Sequence, residues 1–363
     1  MGCGRDNRRL SLAGTVETQY TNTVEDDMSQ DTDRIRYRSI ILTIQDLTAN
    51  RWVPLMAEAE LNTLMLHAVR LPQDINHLIS YRNSDAGRAL YRECHARGIQ
   101  IEYQLHTASW LVPRSFFWKD PDMFRMDIRG QRTCDHNFCL SSDAAWHLFE
   151  ARARQLVTTL PSDTGRFFLF ADDVLQSSAC HCPQCAGFST SDQCLIYAKR
   201  MIGAIRQVHP EARVSYLAYG DSLATPESGH LDDSLFLEYA PIGRCYRHAL
   251  DDPACAINRS HVAALKRLLA FSGEMPFHVT EYWLDASLHS KWRRPAVRIP
   301  VSMDIVRRDV AFYHQLGAES IATYAVMCDE DYWDRFGEPP IQEYGAALRA
   351  CGRPSDSNPG TVG

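Results

Sequence analysis

Phe167–Asp173, FFLFADD, decides how the chain is read. Four apolar residues and Ala171 lead into two adjacent carboxylates. The segment Arg166–Ala171 has the form of a short strand, and seven other runs share it: Tyr37–Ile44, Leu61–His67, Ile99–His106, Arg213–Tyr219, Ser234–Tyr239, Pro276–Tyr282 and Ser320–Met327. Apolar periodicity predicts helices over Trp52–Ala59, Asp85–Arg97, Asp143–Leu160, Asp192–His209, Ser260–Phe271, Val301–Leu316 and Ile341–Ala350. Ser142 with Asp143 and Ser191 with Asp192 are cap residues, and Gly98 and Gly317 sit where a helix should stop. Only the link between the fifth and sixth runs lacks a clear helix.

Strands alternating with helical crossovers predict a parallel (β/α)8 TIM barrel formed by a single domain. A doubly wound open sheet is the alternative, but it would normally show a glycine-rich phosphate turn after an early strand, and none is present. The expected organisation is a disordered segment over residues 1–34, the barrel over residues 35–351 and a flexible tail over residues 352–363.

A barrel carries its chemistry at the C-terminal strand ends. Those ends hold His67, His106, Asp172 with Asp173, Tyr219 with Asp221, Glu238 with Tyr239, Glu281 with Tyr282 and Trp283, and Cys328 with Asp329. Carboxylates converging on one rim repel one another unless a ligand, proton or cation offsets the charge. Two acids in an apolar setting split their pKa values, which leaves one as a proton donor near neutrality. Glycoside hydrolysis needs such a donor and a second carboxylate. Asp173 is the expected acid, with Asp172 tuning it and Glu281 or Glu238 as base or stabilising group. Tyr219, Tyr239, Tyr282 and Trp283 offer a sugar platform or barrel packing. His67 and His106 offer ring-hydroxyl contacts or ordinary packed histidines.

Cys180-His181-Cys182-Pro183-Gln184-Cys185 follows the acid pair, which places it on the loop after strand four. Three thiolates can bind a soft cation, and a structural zinc site wants a fourth ligand. Cys134, His136 and Cys139 on the preceding loop are candidates, with His181 and Cys194 also in reach. A disulfide or free thiols are the other readings. The expected cofactor is therefore a structural zinc, with no organic group.

The chain has 363 residues, 45% hydrophobic and 23% charged, with net charge −7. This composition excludes a mostly disordered protein, a fibre or a small stapled scaffold. No basic tract supports nucleic-acid binding, and no apolar run approaches the roughly 18–20 residues of a membrane span. Charges from Arg5 onward and the lack of an apolar stretch do not fit a secretory signal, so the expectation is a cytoplasmic location, with export of a longer precursor as the alternative.

Arg38 together with Leu61-Asn62-Thr63-Leu64-Met65-Leu66-His67 resembles the first two strands of β-hexosaminidases. Cys139, Asp173 and Cys180-x-Cys182-Pro183-x-Cys185 are similar to the domain of unknown function 4838 family, which itself resembles α-glucuronidases. Ala218-Tyr219, Tyr239-Ala240-Pro241-Ile242 with Cys245, and Asp251-Asp252-Pro253 fit the same pattern. The resemblance spans about residues 37–350. It implies a glycosidase-type barrel acting on a carbohydrate such as a uronide or amino sugar. It also implies Asp173 at the acid position, Asp172 as the orienting acid and Arg38 as a sugar-hydroxyl ligand. Two features depart from the hexosaminidase pattern: the acid is Asp rather than Glu, and Ala68-Val69-Arg70 follows His67 where an acid is expected. A catalytically silent carbohydrate-binding barrel is the second reading. A metal-dependent hydrolase using His67 and His106 is the third.

Overall fold

Eight parallel strands pair in sequence order: β1 (Tyr37–Thr43), β2 (Thr63–His67), β3 (Gln100–His106), β4 (Arg166–Phe170), β5 (Arg213–Ala218), β6 (Leu235–Tyr239), β7 (Phe277–Glu281) and β8 (Ala318–Tyr324). Pairing of β8 with β1, Tyr37 opposite Ser320 through Ile41 opposite Tyr324, closes the barrel. This is a (β/α)8 TIM barrel. The computed structural model describes residues 35–47, 51–68, 72–273 and 275–350. The expectations for residues 1–34 and for the tail over residues 352–363 lie outside the described residues.

Strand β4 shows why these runs form strands. All five of its residues are buried, because the barrel lumen covers one face and the helical layer covers the other. Successive side chains point to opposite faces. Phe168 and Phe170 therefore join Ile41, Met65, Phe236, Ala322 and Tyr324 inside the barrel. Phe167 and Leu169 join the larger core between strands and helices. Near the N-terminal end of the lumen, Arg166 makes a buried two-point ion pair with Glu102, at 2.8 and 2.9 Å, and lies over the Tyr37 ring.

The helices end where local chemistry stops them. Ser142 caps the helix Asp143–Thr159 by accepting from the Ala145 amide. The next cap is Ser189 rather than Ser191, because Ser189 and Asp192 form a reciprocal capping box that starts the helix Thr190–Ile205. Gly98 and Gly317 adopt φ of +70° and +90°, the left-handed conformation that ends a helix before β3 and β8. A helix over Pro72–Asn83, which the sequence periodicity did not single out, shares the β2–β3 crossover with Asp85–Ala96. The β5–β6 link holds only a short 3-10 turn, Gly220–Ser222. Among the described residues, no helix is long and apolar enough to cross a membrane.

Candidate active site

The C-terminal ends of the strands open into a cavity of about 530 Å³. Strand alternation decides what enters it. Glu238, Thr280 and Tyr282 face the lumen; Tyr239, Glu281 and Trp283, each one residue along, face the helical layer. His67, His106, Asp173, Tyr219, Glu238 and Tyr282 line the cavity.

Glu238 is fully buried at the base of the cavity. Its Oε1 accepts from Gln104 Nε2 at 2.8 Å and from Thr280 Oγ1 at 2.7 Å. Oε2 is buried, and the one hydroxyl set against the carboxyl on that side, Ser215, falls short of good hydrogen-bond geometry while still lowering its pKa. Burial pushes the carboxyl up to about 7, and the hydrogen bonds pull back only part of the rise. The network continues below. His278 Nε2 meets Thr280 Oγ1 at 3.1 Å, and His278 Nδ1 meets Ser320 Oγ at 2.6 Å. Burial holds the His278 imidazole neutral, its pKa well below the usual value. Above, Tyr324 donates to Gln104 Oε1 and stacks on Tyr282, with ring centroids 5.0 Å apart and planes 16° apart.

Asp173 stands higher on the wall, half-buried, where its Oδ1 accepts from the Tyr219 hydroxyl at 3.0 Å. Its neighbour Asp172 turns the other way and does not line this cavity. Asp172 accepts from the Ser109 amide at 2.9 Å and the Asn137 amide at 2.7 Å, and also from the Ser109 hydroxyl. Its own amide donates to Asn137 Oδ1 at 2.8 Å. Asp172 therefore clamps two loops to the end of β4 and leaves Asp173 facing the cavity.

His67 Nδ1 donates to the Gln104 carbonyl at 2.8 Å, and His106 Nδ1 donates to the Ala171 carbonyl at 2.7 Å. A carbonyl only accepts, so both rings carry a proton on Nδ1. Burial, with the nearby His106, lowers His67 to about 4, which leaves it neutral with Nε2 as an acceptor at neutral pH. Among the described residues, these histidines do not gather with the rim acids into a metal-binding group.

Several expected site residues lie elsewhere. Glu281 faces outward and is fully buried, paired with Arg244 at 2.7 Å and accepting from Tyr313 at 2.6 Å. Arg244 also pairs with Asp309 at 2.7 Å, and Trp283 Nε1 donates to Asp309 at 3.1 Å. Tyr239 donates to the His261 carbonyl at 3.2 Å in the same outer layer. These residues form a polar core behind the barrel wall. Arg38 lies near the opposite end of β1 from the cavity, where it donates to the Glu60 and Ile35 carbonyls.

The cavity also holds residues that the sequence reading missed: Gln104, Thr280, Asp285, Trp292 and Tyr324. Gln104 had a signal, since it lies two residues before His106 and so shares its face. Asp285 lies beyond the end of β7 and is brought back by the turn that precedes the short helix Ala286–His289. Burial raises its carboxyl to about 6 despite hydrogen bonds from Ser287.

Beside the barrel mouth, Cys139, Cys180, Cys182 and Cys185 are all buried, and their sulfurs lie within 4.8 Å of one another. Cys139 Sγ is 3.5 Å from Cys182 Sγ and 3.7 Å from Cys180 Sγ. A tetrahedral zinc with Zn–S of about 2.3 Å places its sulfurs roughly 3.8 Å apart, so these four can hold such an ion. The Gln193 side chain braces the loop, accepting from the Cys180 amide and donating to the Cys180 carbonyl. Of the other candidates for the fourth position, His136 pairs with Asp135 and Cys134 packs at the edge of the hydrophobic core.

No family model matches the chain, and no curated protein does. Solved structures share the fold. A GH42 β-galactosidase superposes with a TM-score of 0.51 at 12% identity, covering 89% of this chain and 58% of its own. This chain thus spans little more than half of that enzyme's length. A GH5-4 broad-specificity endoglucanase from an uncultured bacterium superposes with a TM-score of 0.49 at 12% identity, covering 87% of this chain and 95% of its own. The likeness to the β-galactosidase is one of fold, the (β/α)8 barrel.

Proposed function

We propose that the protein is a glycoside hydrolase in which Glu238 and Asp173 form the working carboxylate pair. The observation that carries this reading is Glu238: a carboxyl pushed up to about 7 at the base of the cavity, with one oxygen that makes no well-formed hydrogen bond. Near neutral pH such a group holds a proton in a large fraction of molecules. The proton passes from Glu238 to the glycosidic oxygen as the C–O bond breaks, and the bond's electron pair stays on the leaving oxygen. Asp173 then faces the positive charge on the sugar ring. The carboxyl separation in the sugar complex selects between direct attack by Asp173 and activation of water. Stacked Tyr282 and Tyr324 supply an apolar face for the sugar, and His67 Nε2 accepts from a ring hydroxyl. A uronide or an amino sugar is the proposed substrate.

The test is a screen of nitrophenyl and natural glycosides, uronides and hexosaminides included, against the wild type, Glu238→Gln and Asp173→Asn. Glu238→Gln should lose on the order of 100-fold on natural glycosides and much less on nitrophenyl glycosides, whose leaving groups need no proton. Asp173→Asn should slow both kinds alike. Wild-type rates in both variants would overturn the assignment. Binding without turnover in every class would favour a carbohydrate-binding barrel.

We further propose that the four-cysteine cluster holds a structural zinc, and that the chain belongs with the domain of unknown function 4838 family, whose cysteine motif its own resembles. Cys182→Ser should lower the zinc content by one equivalent per chain and lower the melting temperature, because metal-binding free energy adds to folding free energy. An unchanged zinc content would sink the assignment.

A further inference from the structure

The loop between β6 and the helix Ala256–Phe271 carries a second group of soft ligands, on a different side of the site from the four-cysteine cluster. Cys245, His248 and Cys255 place their ligand atoms within 4.8 Å of one another. Cys245 Sγ lies 3.2 Å from His248 Nδ1. We propose that these three residues bind one zinc-like divalent cation, with its fourth position open to water or an exogenous ligand.

Three features of the loop support the site. First, the Cys245-x-x-His248 spacing lets a single turn present sulfur and imidazole to the same point, while Cys255 approaches from the N-terminal end of the helix. Second, the backbone is set in advance. Fully buried Asn258 accepts from the Cys245 amide at 2.8 Å and shares its two Nδ2 hydrogens among the Cys245, His248 and Ala249 carbonyls at 3.0, 3.1 and 3.0 Å. Arg244 Nη2 adds a bond to the His248 carbonyl at 3.1 Å. Little ordering remains for the metal to impose. Third, exposure is graded. Cys255 is buried, Cys245 is half-buried and His248 is exposed, so solvent reaches the group from the His248 side. A closed structural site would use four protein ligands, whereas three ligands with an open side leave a position for exchange.

The loop also ties the group to the cavity. Ala240 and Ile242 line the cavity, and Arg244 anchors the outward-facing Glu281 and Asp309. A cation joining Cys245 and His248 to Cys255 would add a second link between loop and helix to the one that Asn258 makes. Each thiol must lose its proton to bind the metal, so binding should release protons and weaken at acid pH.

The experiment is a cobalt(II) titration of the full-length, metal-stripped protein under a non-chelating reductant, followed by thiolate-to-cobalt absorption. The double variant Cys245→Ser, Cys255→Ser should bind one equivalent fewer than the wild type, whatever the four-cysteine cluster binds. Cys182→Ser should keep that equivalent, so the two sites fail independently. His248→Ala, a change at an exposed position that folding should tolerate, should weaken the same equivalent by at least about 10-fold, the smallest effect usual for even an outer-shell partner. Equal cobalt stoichiometry in the wild type and the double variant would overturn the proposal. So would unchanged affinity in His248→Ala.

Discussion

Glu238 and Glu281 close neighbouring strands, yet one reaches the cavity and the other is locked behind the wall. Register and pleat produce the difference. Glu238 stands opposite His278, which puts Thr280 beside Glu238 in the lumen and turns Glu281 outward. Two predictions belong at this scale. Glu238 has a raised folded-state carboxyl, so its ionisation destabilises the protein as pH rises from its usual 4.5 to about 7. Glu238→Gln removes that titration. Relative to the wild type, the variant should gain on the order of 3 kcal/mol between pH 4.5 and pH 7, read from denaturant melts at each pH. The activity attributed to protonated Glu238 should fall above pH about 7 for the same reason. Arg244→Ala strands Glu281 and Asp309 without their cation. It should cost about 3–5 kcal/mol, the usual scale for breaking a buried pair, measured by urea unfolding.

At the scale of elements, β4 and its loop do several jobs. The strand fills the lumen with Phe168, whose ring meets Phe236 at 5.3 Å and His278 at 4.8 Å. Phe168→Ala should destabilise by about 3–5 kcal/mol, because the closed barrel cannot collapse into the hole. Calorimetry checks it. The same strand delivers Asp172 to its loop clamp and Asp173 to the cavity, and its loop supplies three of the four clustered thiols. The acid pair therefore divides its work: two adjacent carboxylates at a strand end diverge, and backbone amides claim one of them.

At the scale of the molecule, the helix Ile341–Ala350 seals the seam where β8 meets β1. Tyr344 Oη donates to the Ser39 carbonyl of β1 at 2.9 Å and lies 3.3 Å from the Ile321 carbonyl of β8. Gly345 lets this helix, Ile341–Ala350, approach the chain beside it, since a Cβ at that position would sit 2.0 Å from the Ala59 carbonyl oxygen. Gly345→Ala should push the helix off the seam and cost about 1–3 kcal/mol, the usual range for overpacking. The loss should appear as one cooperative transition at lower temperature, because a closed barrel has no independent half to retain. Two separate transitions would show that the seam is not part of the cooperative unit.

What the sequence by itself determined is the order of the eight strands and of most helices between them, the closed parallel barrel they imply, and the placing of acids and thiols next to strand ends. These are local signals: an apolar run of strand length, a capping serine, a glycine at a helix end, a cysteine spacing. The face on which each strand-end residue lies was decided only by tertiary structure, because alternation gives two faces and pairing alone says which is the lumen. This is why Glu281, Tyr239 and Trp283 went to the outer core while Gln104, Thr280 and Tyr324 entered the cavity. Arg38 sits near the start of its strand, and a side chain there cannot reach a mouth at the strand's other end. Asp285 and Cys139 lie on loops whose return to the site depends on packing across the whole fold, as does the distance from Cys245 to Cys255. The raised carboxyl of Glu238 has the same origin, since burial acts on a group only once the barrel has closed around it.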